Sequence, residues 1–276
     1  MMFSAGKNKR SNLLLEAIRF FDLLYHTTVR NVRRVSFNPI IAIVNQILTM
    51  LVLVAAFMML TTLLGTRTAA VRGNSVQFIM SGIFLFLVHN SSLGAAALVG
   101  GLRTPLTLHT HITHFMLVMS AGMAALYIQI LAVVLIFTVT HILVEPVVFQ
   151  SLAGFSFAFF IAWASGLMIG FFFSVISPYS PRVVELLKML YMRSNMIFSG
   201  KMFVANTIPA SILPYFYWNP LFHTIDYARG ESFINYTPRV ININYPIVVT
   251  IIFFVLALIF QRYGQNVVSA SWNKRS

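Results

Sequence analysis

His109, His111 and His114 stand within six residues and are the densest group of metal-capable side chains in the chain. Imidazole suits Zn, Cu, Fe and Ni. Their i, i+2, i+5 spacing, however, is not one that a regular helix turns into a ligand set. The bland reading, a polar interfacial loop, is preferred, and no metal site is expected. His89 and His141 lie within or at the edge of apolar stretches and read as hydrogen-bonded structural residues. Carboxylates are scarce, six Asp and Glu in all. Asp226 and Glu231 are close in sequence, with Arg229 between them and expected to pair with one. With no Cys, disulfides, thiolate metal sites and Cys nucleophiles are excluded. The Gly-Lys pairs, Gly6-Lys7 and Gly200-Lys201, lack both the preceding glycine and the following hydroxyl of a phosphate loop. Enzyme readings therefore do poorly: no catalytic residue is assigned, and no cofactor is expected in this chain.

The elements that must carry these residues follow from where charge is missing. No Asp, Glu, Lys or Arg occurs between Arg34 and Arg67, Arg72 and Arg103, Arg103 and Glu145, Glu145 and Arg182, or Arg239 and Arg262. About 20 apolar residues suffice for a helix to cross roughly 30 Å of hydrocarbon. Charged residues make up only 9% of the chain, against about 25% in ordinary soluble domains. The expected fold class is an all-α polytopic membrane protein with six transmembrane helices. The spans are placed at about 38–64, 75–101, 115–143, 150–176, 183–205 and 245–260. The second holds the small-residue run from Ser91 to Ala97, which permits close helix contact.

The net charge of +13 would suggest nucleic acid in a soluble protein. Here the basic residues gather at membrane borders, and no nucleic-acid partner is expected. With both termini cytoplasmic, 13 of the 19 Lys and Arg fall inside and 5 outside, leaving Arg193 within the fifth span. That asymmetry matches the positive-inside rule. Residues 1–34 form a cytoplasmic N-terminal segment rather than a signal peptide, because Glu16, Arg19 and Asp22 interrupt any apolar run. Leu14, Ile18, Phe21, Tyr25, Val29 and Val32 recur at helical spacing against a basic face, the pattern of an amphipathic helix lying along the interface. Residues 35–276 form the transmembrane domain.

The fifth span is the least regular, since it carries Glu185, Lys188, Arg193 and Lys201. An Arg inside a span is costly and is expected to face a bundle interior or water. Beyond it, Ile208 to Pro238 is too rich in proline and aromatics to span. Non-helical backbone at membrane depth is tolerated only where it lines protein or a water cavity. Asn219-Pro220 is placed to start the second of two short broken helices, with proline in its first turn.

Ser199-Gly200-Lys201-Met202-Phe203, followed by Trp218-Asn219-Pro220-Leu221, His223, Asp226 and Arg229, resembles the permeases of ABC-2 type exporters. The similarity is to the branch that exports capsular and O-antigen polysaccharides across the bacterial inner membrane. A basic amphipathic N-terminus, six spans, re-entrant gate helices before the last span and Arg193 in the fifth span extend it over nearly the whole chain.

That resemblance implies a homodimer, each copy bound to a cytoplasmic ABC ATPase subunit that carries ATP and Mg. It also implies periplasmic or outer-membrane export partners, a lipid-linked polysaccharide substrate, and residence in the bacterial inner membrane. The coupling loop, 102–114, would seat Arg103, Thr104, Pro105, His109, His111 and His114 in the ATPase. The periplasmic gate segment, 206–240, would place Tyr215, Tyr217, Trp218, Asn219, Pro220, Phe222, Asp226 and Arg229 at the channel. Aromatic faces there would stack on sugar rings, and outward Arg67, Arg72, Arg229 and Arg239 would attract an acidic polymer. Two rival readings are an ABC-2 permease for a drug, lipid or haem-related cargo and a membrane enzyme on lipid-linked sugars.

Overall fold

The computed structural model describes the backbone of residues 11–35, 39–63, 74–99 and 113–273. Side chains are described for residues 15–33, 40–63, 74–99 and 113–263. The described residues are helical throughout, joined by turns. The helices are α1 (Ser11–Val35), α2 (Pro39–Leu63), α3 (Ser75–Ala97), α4 (His114–Leu143), α5 (Leu152–Ile176), α6 (Pro181–Phe198), α7 (Pro214–Tyr217), α8 (Pro220–Ser232) and α9 (Asn244–Asn273). A single 3-10 turn covers Ala205–Thr207.

Local chemistry explains the starts. Asn74, Thr113, Ser151 and Asn219 each accept a hydrogen bond from a backbone N–H in the turn they open, at 2.9–3.2 Å. Such caps satisfy donors that the first helical turn leaves free. Proline opens α6, α7 and α8, where its missing N–H costs nothing.

Among the described residues, five helices are long and apolar enough to cross a membrane: Ile40–Leu63, Ser75–Ala97, His114–Leu143, Leu152–Ile176 and Asn244–Tyr263. This is the architecture of an all-α, multi-pass membrane protein. The expected fifth span at 183–205 differs from the rest. Its helix, α6, begins at Pro181 and stops at Phe198, is not among the five, and carries Arg182, Glu185, Lys188 and Arg193. Lys188 and Glu185 pair at 2.6 Å. The helix ends because Gly200 takes a φ of +71°, a left-handed conformation that side chains resist.

The core is centred on α3, whose apolar and small residues are buried nearly along its length. Its closest partner is α5. A Cβ added at Gly166 would lie 2.2 Å from the His89 carbonyl oxygen, and one at Gly170 2.5 Å from that of Leu93. Backbones approach this closely only where glycine leaves room. Phenylalanines fill the other junctions; Phe137 packs edge-on against Phe84, Phe149 and Phe155. The outward faces of α2 and α9 are apolar and exposed, Val52 and Ile251 among them, as hydrocarbon contact requires.

α1 lies against α4, where Asn31 Nδ2 donates to Ser120 Oγ at 2.9 Å. Ile18, Phe21 and Tyr25 of its apolar stripe remain exposed.

Candidate functional site

The segment between α6 and α9 is where chemistry and fold meet. Beyond Phe198 the chain turns back along α3 instead of leaving the bundle. Arg229 lies over Phe78 with its guanidinium carbon 3.9 Å from the ring centroid. Lys201 lies over Phe86 at 3.2 Å. Asn195 Nδ2 donates to Asn90 Oδ1 at 3.2 Å. At ~1.5 Å per residue, Asn90 stands about 22 Å along the axis from Ser75, some two-thirds of the way down α3. The turn after α6 and the helix α8 are therefore lodged beside the core helix, and α7 packs on α8 through Phe216 and Phe222.

Two clamps hold it. At the deep end Asn219 Nδ2 donates to Asn195 Oδ1 at 3.1 Å, while Asn219 Oδ1 caps the Leu221 N–H at 2.9 Å. Asn195 and Asn219 are fully buried. Next to this ladder, His89 Nδ1 lies 3.1 Å from the Ala162 carbonyl and 3.0 Å from Ser165 Oγ. A carbonyl only accepts, so Nδ1 carries the proton and Nε2 accepts from the Tyr191 hydroxyl at 3.1 Å. Polar residues of α3, α5, α6 and α8 thus answer one another inside an apolar surround, where an unpaired group would be costly.

At the shallow end Arg229 closes the second clamp. Its Nη1 donates to the carbonyls of Gly200 (2.9 Å) and Phe203 (2.7 Å), and Nη2 to that of Lys201 (2.6 Å). The planar fork suits three converging carbonyls in a way an ammonium does not. Gly82 of α3 makes space for it, since a Cβ there would come 2.8 Å from Nη2. The expected pairing of Arg229 with Asp226 or Glu231 does not form. Asp226 instead accepts from the Tyr236 hydroxyl, and no ion pair joins Arg229 to either acid among the described residues. Burial raises the Asp226 carboxyl above the usual carboxylate range, while Tyr236 and the Arg229 charge pull it back.

The assigned gate residues divide into two groups. Tyr215, Tyr217 and Trp218 are exposed; Asn219, Pro220, Phe222, Asp226 and Arg229 are buried against protein. Arg229 is thus not an outward charge available to attract a polymer, whereas Arg239 is exposed. His223 stacks on Tyr217, donates from Nε2 to the Tyr217 carbonyl at 3.0 Å and accepts the Asn242 N–H at 3.2 Å. Burial lowers its basicity. Arg193, expected to face a bundle interior or water, is exposed on α6, opposite the buried Asn195.

Of the coupling residues, Arg103, Thr104, Pro105, His109 and His111 lie outside the described residues. His114 is the first residue of α4, buried, with Nε2 2.6 Å from Ser174 Oγ. His89 and His141 are hydrogen-bonded structural residues, as expected. No group of three metal-capable side chains gathers among the described residues.

No family model and no curated protein matches this chain. The Ser199–Phe203 turn and the Asn219–Arg229 stretch are bonded to each other through Arg229. Sequence reasoning missed Asn90, Tyr191 and Asn195. Their one advance signal was a polar side chain inside an apolar or half-apolar run.

Proposed function

We propose that this chain is the transmembrane permease subunit of an ATP-driven exporter that moves lipid-anchored, capsular-type polysaccharide across the bacterial inner membrane. A separate ABC ATPase subunit, holding ATP and Mg, energises it, and two copies of the chain enclose the path. In this reading α6 is the fifth of six crossings, both termini are cytoplasmic, and α7 and α8 form a re-entrant gate on the periplasmic side, next to periplasmic or outer-membrane export partners.

The observation that carries the reading is the doubled-back segment from Ser199 to Ser232, which Lys201 and Arg229 set against α3 and the Asn195–Asn219 contact ties to α6. A soluble domain has no need of such an insertion. In a membrane, irregular backbone at depth is tolerated where it is buried in protein or lines a water-filled cavity, and broken helices of this kind border the substrate path in transporters. The exposed Tyr215, Tyr217 and Trp218 offer stacking faces at its tip.

One observation favours a second reading, an ABC-2 permease for another cargo. Asp226 and Arg229 are committed to protein contacts and Lys201 lies over the Phe86 ring, so none of these three buried charges is turned towards a glycan. A membrane enzyme on lipid-linked sugars stands third.

Deletion of the gene, followed by assay of lipid-linked polysaccharide in the cytoplasm and at the surface, tests the proposal. Polymer trapped inside, and returned to the surface by the intact gene, is the expected result. Normal surface polymer would promote the second reading. Loss of polymer from both compartments would point to biosynthesis.

A further inference from the structure

At about 100° per residue, α1 divides into three faces. One is docked: Thr27 is buried and Asn31 reaches Ser120, so the side shared with Phe20 and Leu24 turns towards α4. A second is apolar and open, with Ile18, Phe21 and Tyr25 each about two-thirds exposed. The third is polar and exposed, holding Arg19, Arg30 and Arg33 along with Glu16 and the Asp22–His26 pair at 3.4 Å.

Docking against α4 fixes the other two faces in space. Ser120 lies six residues beyond the start of α4, about 9 Å at ~1.5 Å per residue. The helix is thus held close to the end at which α4 enters the membrane, where an open apolar face meets acyl chains and a basic face meets headgroups. On the polar face itself Arg19, Arg30 and Arg33 outnumber Glu16 and Asp22, and the flanking sequence is more basic still. Residues 1–35 carry Lys7, Lys9, Arg10, Arg19, Arg30, Arg33 and Arg34 against Glu16 and Asp22, a net of +5.

We propose that α1 is a binding strip for anionic phospholipid, its apolar face in the acyl region and Arg19, Arg30 and Arg33 on the headgroup phosphates. Headgroup charge, not only apolar contact, then holds the strip to the bilayer. The proposal rests on the membrane placement of α4 and is independent of the cargo.

The chain has no cysteine, so Ala17→Cys on the exposed surface of α1 gives a single labelling position. The full-length, fluorophore-labelled protein is reconstituted in phosphatidylcholine bilayers doped with shallow spin-labelled phosphatidylglycerol or, separately, the same fraction of spin-labelled phosphatidylcholine. Quenching by phosphatidylglycerol is expected to exceed that by phosphatidylcholine by about threefold or more at low salt. In 0.5 M salt, where the screening length shrinks to a few ångströms, the excess should collapse. The variant Arg19→Gln/Arg30→Gln/Arg33→Gln should show equal quenching by both lipids. Equal quenching in the unmodified strip would overturn the charge-based contact, and quenching by neither lipid would mean that protein covers the apolar face. A preference that survives the triple substitution would remove these arginines from the site. None of these outcomes depends on transport, so failure here and failure of the exporter reading are separately visible.

Discussion

Asn219 donates its side-chain amide to the Asn195 oxygen at 3.1 Å, and this contact joins the last turn of α6 to the cap of α8. Asn195 passes the connection on to Asn90 of α3. Only Val184 and Asn195 of α6 are buried. Tyr191, Met192 and Phe198 add apolar contacts from its partly buried side, and the Asn195 bonds tie the position of α8 to that of α6.

Asn195→Ala removes both bonds and leaves the amides of Asn90 and Asn219 facing an apolar surround. A loss of about 1–3 kcal/mol is expected, read as a lowered Tm in detergent. A double-mutant cycle with Asn219→Ala should return a coupling of about 0.6 kcal/mol or more, the typical worth of an interhelical hydrogen bond in membrane proteins. Strict additivity would mean that the two side chains are not partners.

Arg229→Lys keeps the charge but loses the fork. Three carbonyls of the turn after α6 would lose their donors, at a cost of roughly 1–3 kcal/mol for each group left unmade. Protease cleavage within residues 199–213 should rise sharply relative to cleavage elsewhere. An Arg229→Lys protein as resistant as the parent would show that the fork is dispensable.

Lys201 is buried, its Nζ has no hydrogen-bond partner among the described residues, and there it lies over the rings of Phe86 and Phe57. A lone buried cation costs more than a cation–π contact of ~2 kcal/mol returns. Lys201→Met, similar in length and apolar, is expected to raise stability by about 1 kcal/mol, whereas Lys201→Glu should lower it. If Lys201→Met unfolds the protein, the ammonium has a partner that the two rings do not supply.

Gly166→Ala tests the α3–α5 seam. The added methyl meets backbone, the His89 carbonyl oxygen at 2.2 Å, so no side chain can swing aside. A loss of about 1–3 kcal/mol is expected from overpacking. Gly94→Ala, where nothing lies within 4 Å, is the control and should leave Tm nearly unchanged.

Much of the fold was legible because hydrophobic length is a property of composition. The charge-free runs became α2, α3, α4, α5 and the apolar part of α9, with ends within a few residues of those expected. The start of α8 could also be read, since Asn before Pro is both cap and first turn. The apolar stripe of α1 was visible as a period, but which side meets α4 was not. Periodicity separates polar from apolar and says nothing of a third face made by Thr27 and Asn31.

The roles of the charged and amide residues were decided by tertiary structure alone. Arg229 lies three residues from Asp226 and two from Glu231, so proximity suggested an ion pair. Folding set its guanidinium instead against carbonyls 26 to 29 residues away. Asn90, Asn195 and Asn219 meet across separations of 105 and 24 residues, distances over which no local pattern carries information. Burying a polar group is tolerable only where a partner is present, and which residue becomes that partner depends on how the helices pack.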